Sequence, residues 1–279
     1  MQMLKIFALM AGLTALAVGL GSYFGGTNGA VIMFAITAAM NIGSYWFSDK
    51  MVLRMYKARI IDRSSAPELY AMVERLAKRG NVPMPVVAIA PSEQPNAFAT
   101  GRSPEKGVVC FTEGILRLMP VGSAELEGVT AHELAHIKHH HMLVGAVAAT
   151  MAGAIMMIVR IGVLFGGGRD DRNANPLALI AMMIIAPLAA MMVQMAISRT
   201  NEFQADKTGA EIAGRPQGLA NALRVMDATS RRIPMDVNPA AAALAIVNPL
   251  AGRKAMFGKL FSTHPATEER IARLEALAS

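Results

Sequence analysis

Five consecutive residues, His132-Glu133-Leu134-Ala135-His136, hold the most distinctive chemistry in this chain. On a helix, residues four apart project from one face, so His132 and His136 form a chelating pair suited to Zn²⁺. Glu133 sits beside the first ligand, within reach of a water held on that metal. Zinc lowers the pKa of such a water, and the glutamate takes its proton as general base. Nucleophile, base and Lewis acid thus converge on one turn of helix, the combination that hydrolyses a peptide bond. The bare pattern also arises by chance. Here it falls on a capped helix outside the apolar runs, which favours the catalytic reading.

A hydrolytic zinc site takes three protein ligands and leaves a fourth position open. In one large class the motif continues H-E-x-x-H-x-x-G-x-x-H. This chain has His139 in place of that glycine and Met142 in place of the last histidine, so that class is excluded. The other solution is a glutamate from a later helix. Glu202 qualifies, in Asn201-Glu202-Phe203-Gln204-Ala205-Asp206, with Glu211 as a fallback. Asp206 lies one turn beyond Glu202, placed to accept a hydrogen bond from a ligand imidazole. One Zn²⁺ per chain is expected.

The elements that position these residues follow from composition. Apolar residues make up 53% and charged residues 17% of the 279, oilier than a soluble protein of this size. Ile6 to Ser48 contains no charged side chain, and Met142–Val159 and Asn173–Ser198 are further apolar runs. Runs of this length read as transmembrane helices. Four spans are predicted, roughly 4–24, 29–48, 142–165 and 175–198. The first is retained rather than cleaved as a signal, because no small-residue cleavage site precedes polar sequence. Arg160 inside the third span snorkels by default.

The net charge of +7 does not point to nucleic acid. Lys50, Arg54, Lys57, Arg59 and Arg63 follow the second span directly, the positive-inside signature that assigns this side to the cytoplasm. Segments 49–141 and 199–279 and both termini then lie in the cytoplasm. The lone Cys110, flanked by Val109 and Phe111, is expected to be a buried strand thiol.

In segment 49–141 a helix capped by Ser65 and stopped by Gly80 is predicted. Strands Val86–Ala90, Asn96–Thr100 and Val108–Thr112 follow. Ser123 then caps the motif helix, with Leu126, Thr130, Leu134 and Ile137 as its apolar stripe. Helices are predicted at about 200–213, 217–230 and 265–278; residues 231–263 remain open. The hairpin 142–198 leaves and re-enters on one side, which returns Glu202 to His136. His139, His140 and His141 are expected to be interfacial residues ahead of the third span.

H-E-L-A-H, two spans, S-R-T-N-E-F-Q-A-D and T-H-P-A-T-E-E-R together resemble the HtpX-type membrane metalloproteases, relatives of the CAAX prenyl proteases among the glutamate-ligand zincins. N-A-F-A-T-G-R at Asn96–Arg102 strengthens the likeness, which runs end to end. The resemblance implies an α-helical integral membrane protein: four transmembrane helices plus a cytoplasmic α+β zincin-type protease domain. It implies quality control on the cytoplasmic side of a bacterial inner membrane, with misfolded membrane proteins as substrates and stress as the occasion. It also implies that Asn96, Ala97 and Phe98 pair with the substrate backbone by strand addition. The T-H-P-A-T-E-E-R likeness makes His264 and Arg270 candidates for stabilising the developing oxyanion. His264 has a structural reading as a helix-start residue, and Arg270 has one as the partner of Glu268 or Asp206.

Two rivals are weaker. A site-2-type intramembrane protease needs its motif inside a span and a metal-binding aspartate in another, and neither is present. A non-hydrolytic metal-binding membrane protein or transporter has no use for Glu133, and the spans carry no paired carboxylates or histidines.

Overall fold

The computed structural model describes residues 2–143, 199–230 and 265–278. The predicted spans 142–165 and 175–198, Arg160, segment 231–263 and His264 lie outside the described residues. The chain divides into two compact units, 1–47 with 144–196 and 48–143 with 197–279.

In the first unit, helix α1 (Gln2–Met55) begins as two legs joined at Gly26, whose φ of 58° and ψ of −148° are non-helical. A left-handed φ is accessible to glycine without a Cβ clash, so the break between the predicted spans 4–24 and 29–48 narrows to this residue. The legs join through Asn41, which donates from Nδ2 to Thr14 Oγ1 at 3.2 Å. Gly25–Phe47 is long and apolar enough to cross a membrane, whereas Met10–Tyr23 is a shorter apolar helix. The helix does not stop at Ser48. It runs on to Met55, with Arg54 in its last turn where the helix dipole favours a cation.

The second unit is a four-stranded sheet with helices packed on it. Strands β1 (Arg59–Ile61), β2 (Val86–Ala90), β3 (Ala97–Thr100) and β4 (Val108–Thr112) lie in the order β1-β2-β4-β3. β2 and β4 are parallel, and the two outer strands run antiparallel to their neighbours. Asn96 falls just outside β3 and still pairs, accepting from the Thr112 N–H at 2.9 Å. β1 was not foreseen: three residues in a basic stretch give no readable alternation.

Helix α2 (Pro67–Gly80) takes Ala66, not Ser65, as its N-cap. The Ser65 hydroxyl donates to Asp62 instead, at 2.6 Å. The stop is Asn81 in the left-handed conformation, so Gly80 is the last helical residue. After β4 come α3 (Glu113–Leu118), also unforeseen, and α4 (Ala124–Lys138) with the motif. Ser123 caps α4 as expected, accepting from the Leu126 N–H at 3.2 Å. Helix α5 covers 199–213, α6 is Pro216–Ser230 and α7 is Thr267–Ala276. One core joins Leu76, Val109, Leu126, Leu134, Ala205 and Leu223. Phe98, Cys110 and Tyr56 belong to a smaller cluster.

Candidate metal centre

α4 is the central element of its unit. The stripe Leu126, Thr130, Leu134 and Ile137 is buried, but so is every residue from Leu126 to Ala135. α2, α6 and β3 all pack against this helix, so its polar motif face is as enclosed as its apolar one. α5 approaches just as closely. A Cβ on Gly209 would stand 2.9 Å from both the Cα and the backbone nitrogen of His132. Glycine therefore allows the backbone contact that brings Glu202 and Asp206 onto His132. The far end of α5 is held by Arg79, which donates to the carbonyls of Ile212 and Ala213 at 3.1 and 2.8 Å.

The ligand atoms of His132, His136 and Glu202 lie within 4.8 Å of one another. The two Nε2 atoms are 3.1 Å apart, and the Glu202 carboxylate is 3.6 Å from His132 Nε2 and 3.4 Å from His136 Nε2. Bonds of about 2.0–2.1 Å at tetrahedral angles would set such atoms about 3.3 Å apart, so the trio fits zinc. Two imidazoles and one carboxylate are also a donor set that zinc favours over calcium or magnesium. Glu133 is buried beside them. Burial raises its pKa, against the pull of both histidines, and its carboxylate accepts the Ala99 N–H. Burial opposes protonation of His136, yet the adjoining Glu202 carboxylate leaves its pKa raised.

Asp206 Oδ1 stands 3.0 Å from His132 Nδ1, close enough to take that proton from a ligand imidazole. Of the two partners foreseen for Arg270, the structure selects Asp206. Its guanidinium is 1% exposed, forks onto that carboxylate and also reaches Glu202 at 3.0 Å. Burial disfavours ionised Asp206, but the charge and hydrogen bonds of Arg270 together with the neighbouring His132 outweigh it and the pKa is lowered.

β3 is the edge strand beside α4. Because Thr112 pairs with Asn96, the antiparallel alternation turns the N–H and C=O of Ala97 and Ala99 to the outer edge. The Phe98 ring faces the other way and packs on Tyr56 with centroids 4.4 Å apart. Asn96 is buried and shares a hydrogen bond with the Tyr56 hydroxyl. Only the backbone of this strand is oriented for pairing.

Residues 63–278 match the model of peptidase family M48. The chain belongs to peptidase family M48. It is 54% identical to a protease HtpX homolog of Gemmatimonas aurantiaca over 281 residues, covering 100% of both chains. A second HtpX homolog, from Pelotomaculum thermopropionicum, is 51% identical over 284 residues with the same full coverage. A third, from Methylibium petroleiphilum, is 50% identical over 99% of this chain and 98% of the relative. The crystal structure of S. mikatae Ste24p matches with a TM-score of 0.55 at 18% identity, a likeness of fold. That match covers 98% of this chain, which spans 64% of the other. Family and ligand trio together make this chain a zinc metallopeptidase with a His-His-Glu metal site.

Two features of this M48 peptidase escaped the sequence reading. One is Gly209, whose role requires knowing which backbone it meets. The other is the histidine run after the motif. His141 is not interfacial: it is 4% exposed, with Nδ1 3.1 Å from His136 Nδ1. His139 shares its surroundings, with Nδ1 3.2 Å from the Gln204 amide nitrogen and Nε2 2.9 Å from Thr208 Oγ1. Burial pushes the His141 pKa down to about 3. The left-handed turn at His140, φ 57°, folds the chain back to make these contacts.

Proposed function

We propose that this zinc metalloendopeptidase cleaves unfolded cytoplasmic segments of misfolded membrane proteins, working from the inner membrane of a bacterium. The convergence of His132, His136 and Glu202 around one point, with buried Glu133 beside them, carries the catalytic part of the reading. When bound there, zinc acts as a Lewis acid toward water and the scissile carbonyl. Glu133 accepts the proton of the attacking water at its carboxylate and returns it to the leaving amine nitrogen. Its raised pKa suits both halves of that exchange. Asp206 holds the His132 ring by accepting from Nδ1, and Arg270 holds Asp206 and Glu202.

The outer edge of β3 supports strand addition. A substrate in extended form can exchange hydrogen bonds with Ala97 and donate to the Ala99 carbonyl without side-chain selection, which favours unfolded segments. Asn96 and Phe98 support that edge from behind, through Tyr56. The four-span topology, with both termini and the active site cytoplasmic, is supported by the apolar runs and by the basic cluster after Ser48. His136 and Glu202 lie only a few residues from the predicted span ends, which supports a site near the membrane boundary. Membrane-tethered segments therefore meet the site at high effective concentration.

The test presents one unstructured segment to the enzyme in liposomes, either tethered to a transmembrane helix or free in solution. Chelated enzyme and Glu133→Gln serve as blanks. Faster, chelator-sensitive cleavage of the tethered form is expected. Equal rates, or cuts in the middle of a span, would overturn the substrate assignment.

A further inference from the structure

The polar side chains behind His136 form a series with a definite direction. A ligand imidazole that gives Nε2 to a metal carries its proton on Nδ1 and needs an acceptor there. His132 has Asp206 in that place. At His136 the group within reach of Nδ1 is His141 Nδ1, at 3.1 Å. If His141 accepts there, its own proton sits on Nε2, which lies 3.2 Å from Gln204 Oε1. The Gln204 amide nitrogen then donates to His139 Nδ1 at 3.2 Å, and His139 Nε2–H donates to Thr208 Oγ1 at 2.9 Å. Every donor in the series meets an acceptor. The opposite direction would need a proton on His141 Nδ1 and none on His136 Nδ1. Neutral His136 would then carry its proton on Nε2, the atom the metal requires.

We propose that His141 is a positioning residue for the zinc ligand His136, setting its tautomer and ring orientation through a directed chain that continues to Gln204, His139 and Thr208. The proposal rests on the zinc-metallopeptidase reading and deepens it. The chain also ties the end of α4 to α5, because Gln204 and Thr208 flank Asp206 on the helix that supplies Glu202. The two histidine ligands are thus held differently, His132 by an anion and His136 by a neutral ring.

Two substitutions separate positioning from packing. His141→Asn places a neutral acceptor, Oδ1, where Nδ1 stood, and gives up the ring. His141→Phe keeps a ring and removes the acceptor, leaving the His136 Nδ1–H buried without a partner. The readout is the zinc dissociation constant of the full chain in detergent, measured by competition with a chromophoric chelator. His141→Asn is expected to stay within about threefold of the unsubstituted chain, while His141→Phe weakens binding about 10–100-fold, the range for partners of ligand histidines. The reverse order, with Phe tolerated and Asn impaired, would overturn the proposal. Should His141→Phe fail to fold, Gln204→Met interrupts the chain one step further out. It is expected to weaken zinc measurably, and an unchanged constant would count equally against the idea. Failure of the unsubstituted chain to bind zinc would instead sink the metallopeptidase reading beneath it.

Discussion

Arg270 forks onto Asp206 with two hydrogen bonds, from Nε at 2.9 Å and from a terminal nitrogen at 2.7 Å. Its other terminal nitrogen lies 3.0 Å from Glu202. One buried cation thus joins the carboxylate beside His132 Nδ1 to the carboxylate of the ligand trio. Glu133, Glu202 and Asp206 bring three negative charges into this interior and Arg270 one positive. A divalent ion would match the remaining two.

That arrangement makes Arg270 a strut of the metal site. Arg270→Lys keeps the charge but loses the planar fork, and weaker zinc binding is expected, about 10–100-fold. Arg270→Met leaves two buried carboxylates uncompensated, with a stability loss of about 3–5 kcal/mol in the thermal transition. If zinc affinity holds in Arg270→Lys while kcat alone falls, Arg270 serves the oxyanion instead.

Glu133→Gln retains the size of the side chain and both histidines but cannot take a proton. Peptide release is expected to drop by about three orders of magnitude or more, with zinc still near one per chain. Zinc analysis alongside a peptide-release assay checks both halves. Substantial activity in a clean preparation would remove Glu133 from the role of base.

Gly209→Ala tests the close approach of α5 to α4. Propensity alone would favour alanine by about 1 kcal/mol within a helix. The added methyl meets His132 backbone at 2.9 Å, so α5 has to move away and carry Glu202 and Asp206 with it. Lower zinc affinity and a lower Tm are expected together. A rise in Tm with affinity intact would show that the backbone contact is not needed.

Asp206 predicts the acid limb of stability. Its pKa is depressed in the folded chain, so its contribution is fully present above the ordinary carboxylate value, about 4, and is lost as pH falls through the folded value. In the metal-free enzyme, Asp206→Asn should be less stable near neutrality and should lose less further stability on acidification. Parallel acid-unfolding curves for the two chains would contradict the assignment.

Cys110 is buried in β4, and burial pushes its pKa up to about 12. At pH 8 the folded chain should resist thiol reagents and react only on unfolding, a convenient probe of the protease unit. Rapid labelling of the native enzyme would place this thiol elsewhere.

What the sequence determined by itself was local or nearly so. Helical period puts His132 and His136 on one face whatever surrounds them, and the same period places Asp206 a turn beyond Glu202. The long uncharged run ahead of Ser48 likewise pointed to the helix Gly25–Phe47, long and apolar enough to cross a membrane. Tertiary structure decided what depends on which surfaces meet. It turned His141 from a boundary residue into the partner of His136, selected Asp206 over Glu268 for Arg270, and gave Gly209 its task against the His132 backbone. It also moved the cap of α2 from Ser65 to Ala66 and added β1 as an edge strand. The Arg270 and Gly209 outcomes rest on contacts between residues far apart in the chain, the His141 and Ser65 ones on local turns, and neither periodicity nor residue type encodes the distance between two backbones.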